Sequence, residues 1–224
     1  MPDIPDRDKL ERKLARILGS MNKRQLASLL EYMGDPPDIN KVPPEFWDQA
    51  GKELAAAVLP FSEGVYLDAA ERMLEEVSVG VDWNLVNSAA SNWAQQYSFE
   101  LVTGINNTSR QAIQRAVSAY YTEGMTQGQL EERLSRIYSP VRAEMIARTE
   151  VTRAAVQGEW AFVREIRQQG IEMVEVWKTR NDDRVCPICG PRHNKKRGDG
   201  WDSDNEPPAH PRCRCWLNHE IVVL

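Results

Sequence analysis

Cysteine is absent from the first 185 residues of this 224-residue chain, which excludes a disulfide framework spread along its length. No charged segment followed by an apolar run and a small-residue cleavage site opens the sequence at Met1 to Asp8, so export to an oxidising compartment is not expected. Long apolar runs are missing as well. Leu54 to Leu59 is typical of the longest, far short of the roughly eighteen residues a bilayer span needs, and no membrane association is expected. With 42% hydrophobic and 27% charged residues, the composition excludes a disordered chain and leaves room for one domain or two small ones.

What is present is concentrated at the far end: Cys186 and Cys189, then His210, Cys213 and Cys215. Two short pairs of soft ligands about twenty residues apart suit a tetrahedral zinc ion, because each pair supplies two ligands from one turn and the intervening loop closes the cage. Five candidates exceed the usual four ligands. The matched spacings C-x-x-C and H-x-x-C favour Cys186, Cys189, His210 and Cys213, with Cys215 in reserve; a disulfide pair and unligated thiols are the rival readings. An open catalytic zinc site is not expected, since neither H-E-x-x-H nor the deaminase pattern of H-x-E followed by P-C-x-x-C occurs. Of the other two histidines, His193 reads as a solvated residue of a basic loop and His219 as decoration on a terminal strand.

The net charge of −5 is unevenly distributed. Between residues 7 and 24 lie seven bases, Arg12, Lys13 and Arg16 among them, against Asp8 and Glu11; a second basic knot is Arg192 to Arg197, with Lys195, Lys196 and Arg197. Such runs serve as phosphate contacts in nucleic-acid-binding proteins and as solvated faces elsewhere, so they are candidates and no more.

Periodicity predicts mostly helix. Leu10, Leu14, Ile17, Leu18 and Met21 recur on one face of a segment from 7 to 33, which Gly34 to Asp38 terminates, and this segment reads as an arm set off from the remainder of the chain. Thr108 or Ser109 is expected to cap a helix with Ile113, Ala116, Val117, Tyr120 and Tyr121 on one face and Gly124 at its end. Thr126 and Gln129 form a capping box before Leu130, Leu134 and Ile137. Trp83, Trp93, Tyr97 and Phe99 sit at helical spacing among aliphatic residues and are expected in a core rather than stacked on bases. Ser139 and Pro140 open a long helix running to Gly170, with Met145, Thr149, Thr152, Val156 and Val163 on one side, Arg148 at the edge of that stripe and Glu150 well round from it. Beyond Gly170 the pattern turns to alternation, predicting one strand at 171–177 and another at 216–224, with the cysteine pairs just inside them.

The expected fold is therefore α+β, mostly α: a basic helical arm and Pro-rich linker over 1–40, a helical bundle over 41–140, and over 141–224 a long helix with a small zinc-stapled β module.

The order of these elements is similar to a known family. Ala147 to Ala155 on the long helix, then Trp177 to Cys189, then His210 to Cys215 resembles the phage Mu F-type minor head proteins, the head morphogenesis family; Gly104 to Thr108 is a weaker point of similarity. The resemblance implies a non-enzymatic minor capsid component of a tailed phage or prophage, inside the head near the portal and in the host cytoplasm during assembly. It implies the portal protein as partner, with major capsid or scaffold proteins and double-stranded DNA as further partners. In that setting Arg148, Thr149, Glu150, Trp177 and Asp182 are expected to be structural, and the zinc likewise. Two other readings compete: a zinc-dependent nuclease using Glu150, Asp182 or Asp183, and a free-standing DNA-binding module using the two basic knots.

Overall fold

In a computed structural model of the chain, residues 3–76 and 80–222 are described, apart from the side chains at 76, 99 and 203. Helices dominate. They are α1 (Arg7–Met33), α2 (Pro44–Glu76), α3 (Trp83–Glu123), α4 (Gln127–Ile137) and α5 (Pro140–Gln168), followed by β1 (Met173–Lys178) and β2 (Trp216–Ile221). None of these helices is long and apolar enough to cross a membrane. By contacts the chain forms two compact units: one of residues 1–11, 61–94 and 145–224, the other of residues 12–60 and 95–144. One boundary follows Pro60, which lies inside α2 and cannot donate a hydrogen bond to the Ala56 carbonyl.

The second unit is held in part by the apolar faces read in the sequence: Ile17 and Tyr121, expected on two of those faces, are 40% and 58% exposed, while Leu29, Met33 and Phe46 join the core unannounced. Leu29 and Met33 of α1, Phe46 of α2, Ile113, Ala116 and Val117 of α3, and Leu130 and Leu134 of α4 form one buried cluster. Residues 12–33 thus contribute directly to a core. Thr126 caps α4 in a full capping box with Gln129, and α3 ends before Gly124, whose φ of +65° suits only glycine without strain. One expectation fails here: α3 runs unbroken through 108 and 109. Thr108 and Ser109 turn their hydroxyls back onto the carbonyls of Gly104 and Ile105 at 2.8 Å, so the hydroxyl that could cap a helix is satisfied inside one.

α5 starts at Pro140 as expected, among the second unit's residues, where Ser139 Oγ accepts from the Arg142 amide at 3.3 Å, and from Met145 on it belongs to the first unit. From Glu150 to Val163 it is buried on nearly all sides, which carries Glu150 inside with the apolar stripe. Gly158 lets α2 approach closely, since a Cβ there would fall onto the Tyr66 carbonyl. β1 and β2 pair antiparallel, with Glu175 opposite His219 and Trp177 opposite Leu217. The other edge of β1 is also occupied: Trp177 N donates to Lys195 O, Asn194 N to Trp177 O and Arg197 N to Glu175 O, all at 2.8–2.9 Å. Trp177, Trp201, Phe162, Ile166 and Leu217 share one core cluster with Cys189, Cys213 and Cys215. Trp83 and Trp93 pack within this unit's clusters as expected; the Phe99 side chain and residues 223–224 of the second strand lie outside the described residues.

Candidate metal centre

Each ligand pair sits on its own backbone turn. At the first, the amides of Cys189 and Gly190 donate to the Cys186 carbonyl at 3.1 and 2.9 Å, and the Cys189 amide also approaches Cys186 Sγ at 3.4 Å. At the second, Cys213 N donates to His210 O at 3.1 Å, with Arg212 in the left-handed region at φ +65°. That unfavourable backbone is held by Thr149 of α5, whose hydroxyl accepts from the Arg212 amide at 3.1 Å and donates to Met145 O at 2.8 Å.

The two turns bring the five candidate atoms together. Cys186 Sγ is 3.0 Å and Cys189 Sγ 3.4 Å from His210 Nε2, and Cys189 Sγ is 3.9 Å from Cys213 Sγ. Cys186, Cys189 and His210 form one close group; Cys189, Cys213 and Cys215 form another, with Cys189 common to both. A tetrahedral zinc with bonds of about 2.0–2.3 Å places its ligand atoms roughly 3.5 Å apart, so these spacings fit an ion. The imidazole is oriented for ligation: His210 Nδ1 lies 2.8 Å from the Pro211 carbonyl, and a proton on that nitrogen leaves the Nε2 lone pair facing the thiols. Hydrogen bonding first with Cys189 and then with Cys215 lowers the Cys213 thiol, which favours a thiolate in the cluster. The arrangement can bind a soft divalent metal.

Of the residues expected to be structural, Trp177 is fully buried, edge-on to Trp201 and under the Arg192 guanidinium at 4.9 Å. Asp182 accepts two hydrogen bonds from Arg214, at 2.6 and 2.7 Å, and these hold its carboxyl at about 2. Arg148 of α5 pairs with Glu11 at 2.9 Å. The basic residues divide. Arg12, Lys13 and Arg16 are exposed on α1, whereas Lys195 pairs with Asp199 at 3.2 Å, Lys196 lies 4.0 Å from Glu220, and Arg197 lies 3.7 Å from Glu175 and over the Trp160 ring. His193 is half-buried, with Nδ1 accepting from the Thr179 amide at 3.0 Å. His219 is buried near Glu159 rather than decorating the surface.

Sequence reading passed over the residue that ties the module together. Arg7, 2% exposed, donates to Thr152 Oγ1 at 2.6 Å and to the carbonyls of Arg214 and Cys215 at 2.7 and 3.1 Å, and it pairs with Asp3. Asp3 also holds Arg180 at 2.7 Å. The segment before the ligand turns is thereby fixed to the segment inside them. No local spacing signals a contact across some two hundred positions.

Residues 109–218 match the model of the family described as phage Mu protein F like protein. The resemblance read from the sequence motifs is thus found over α4, α5, β1, both ligand turns and the start of β2, and it points to phage head morphogenesis. Residues 1–11 and 61–94, which complete the first unit, lie outside the match. Among curated proteins and among solved structures, nothing matches the chain.

Proposed function

We propose that the chain is a minor capsid protein of a tailed phage or prophage, acting in head assembly through binding rather than turnover, with a structural zinc in its C-terminal module. The family match across the ligand turns carries this reading, and the geometry of those turns supports it. Zinc is held by Cys186, Cys189 and His210, with Cys213 or Cys215 completing the four. The ion joins two loops that contain few apolar residues and orders the stretch from 181 to 215 against α5. The portal protein is the principal partner, inside the head; capsid or scaffold proteins are met during assembly. Of the carboxylates a nuclease would use, Asp182 is committed to Arg214 and Glu150 is 4% exposed within α5, which favours structural roles for both.

The direct test is a pull-down of the full chain by the portal protein of the same phage, alongside the yield of infectious particles when Cys189→Ser replaces the parent. Retention by the portal, with loss of both retention and yield in the variant, is expected. A Glu150→Ala protein that keeps its stability and still enters heads, yet loses a DNA-cleaving activity the parent has, would sink the binding-only reading.

DNA contact is a second reading, favoured by the exposed Arg12, Lys13 and Arg16 on α1. Such binding is sequence-independent and weakens steeply with salt, because released counterions drive it. Retention on DNA at low salt that is unchanged by Arg12→Ala, Lys13→Ala and Arg16→Ala together would remove α1 from it.

A further inference from the structure

In the first unit an open groove of about 260 Å³ lies between the segment Ile4 to Leu10 and α2. Its floor is apolar: Ile4 and Val65 are 5% and 3% exposed, and Leu10 is half-buried. Its rim is acidic. Asp6, Asp68, Glu71 and Glu75 are exposed against one base on the rim, Arg72, whose Nε donates to the Asp68 carbonyl at 3.1 Å; among the described residues none of the four carboxylates lies within ion-pair distance of a lysine or arginine. Asp68, Glu71 and Glu75 follow the 3 and 4 spacing of one helix face, which Arg72 shares, so this part of the rim is a net acidic stripe about 10 Å long.

The same chain carries the complementary surface. On α1 the exposed Arg12, Lys13, Arg16, Lys23 and Arg24 fall within about 60° of one line along the helix, with Ser20 between them. Among the described residues Arg24 alone of these has a carboxylate within ion-pair distance, Glu53 at 3.9 Å. Ile17, 40% exposed, borders the stripe and supplies an apolar side chain for an apolar floor. A basic helix with one aliphatic residue at its edge is what an acid-rimmed, aliphatic-floored groove receives. Leu10, which lines the groove, and the stripe from Arg12 onward belong to one continuous helix, so the stripe cannot fold back onto the groove of its own chain. Another molecule has to supply it.

We propose that the groove between Ile4 to Leu10 and α2 receives the basic face of α1 from a second copy of this chain, joining copies head to tail. Such a contact is heterologous: each molecule offers one groove and one stripe, and association continues until a ring closes or a partner caps the series. A stripe seated in a groove is withheld from phosphate, so self-association and DNA compete for one surface.

Charge exchange tests this, using the full metal-loaded chain and sedimentation velocity over a range of concentration. One variant carries Glu71→Lys and Glu75→Lys, the other Arg12→Glu and Arg16→Glu; all four sites are exposed, and unchanged zinc content and helicity check the fold. The parent is expected to associate at about 50 mM salt and to lose at least about tenfold in affinity at about 500 mM. Each variant alone is expected to be monomeric. An equimolar mixture of the two should associate, since each then offers the other an opposite charge. A parent that stays monomeric at about 100 µM in low salt, variants that associate like the parent, or a mixture that fails to recover association each overturns the proposal. Capture of the groove by a different basic protein while the parent stays monomeric does so as well.

Discussion

The two compact units bury different kinds of residue. Among the described residues the unit of 12–60 and 95–144 buries only Ser98 and Ser109 as polar side chains, whereas the other buries Arg7, Glu11, Glu150, Glu159, Glu175, Thr152, Thr179 and His219. The first kind of interior is specified by periodicity, because any aliphatic side chain of suitable size on the right face contributes. The second kind is specified pair by pair. A buried guanidinium or carboxylate is tolerated only where its own partners are in place, and removing one partner strands the others.

That contrast is open to experiment, and the largest effect should come from the metal. Zinc removal by a chelator, or Cys186→Ser, is expected to make residues 181–215 exchange their amides with solvent, while protection in α4 and the second half of α3 stays as in the parent. Structural zinc contributes on the order of 10 kcal/mol in small modules, enough to decide whether such a loop orders at all. Elemental analysis should give one zinc per chain; well-folded protein with less than about a tenth of an equivalent would refute the structural zinc.

Next come two substitutions of comparable size and different reach. Arg7→Ala takes one of two guanidinium partners from Asp3 and Glu11, which keep Arg180 and Arg148, removes a donor from Thr152 and two carbonyls, and should cost about 3–5 kcal/mol, with faster zinc loss to a chelator. Leu134→Ala opens a cavity in the other core and should cost about 2–5 kcal/mol, with zinc retention unchanged. Equal zinc loss in both would erase the distinction between the units.

A smaller effect depends on pH. Burial first, and then the Arg167 charge, push His219 down to about 4, below its ordinary 6.5. Between those values the unfolded chain binds a proton that the folded chain does not, so stability falls as pH falls through that window. Between pH 7 and pH 5 the loss should be about 2 kcal/mol, read from urea midpoints, and His219→Phe should remove that contribution to the slope. Protonation of the ligand thiolates adds its own slope to parent and variant alike, so the difference between the two is the measure; identical slopes would sink the assignment. The smallest effect is expected at an exposed cap: Thr126→Ala should cost about 1 kcal/mol, confined to α4.

The same division explains what could be read in the sequence. Leu130 and Leu134 behind the Thr126 box, Ser139 and Pro140 at the start of α5, and the Cys/His pairs beside the strands were legible because each is encoded within a few neighbouring residues. Thr108 and Ser109 misled because a hydroxyl that caps a helix also bonds back within one, and only the unbroken apolar face of α3 decides between the two. Glu150 lay well round from the apolar stripe and was expected as a buried or half-buried structural partner, whereas His219 looked solvent-facing by strand position. They are inside because α5 and β2 are covered on the faces that would otherwise meet water. Arg7 was passed over for a simpler reason: Asp3 and Glu11 are four positions away, but the partners that tie it to the module, Thr152, Arg214 and Cys215, are 145 to 208 positions away, and no periodicity reaches that far.

Distance along the chain is also time during synthesis. At about 5–20 residues per second, Arg7 leaves the ribosome some ten to forty seconds before Cys215 can follow it. Residues 12–60 and 95–144 form one compact unit and can collapse while the remainder is still being made. The unit bearing the ligand turns cannot close until the last of its strands has been translated, so for that interval its first eleven residues lack the carbonyls they will bind. A ribosome stalled before codon 213 would therefore display a finished helical unit beside an unfinished metal-binding one.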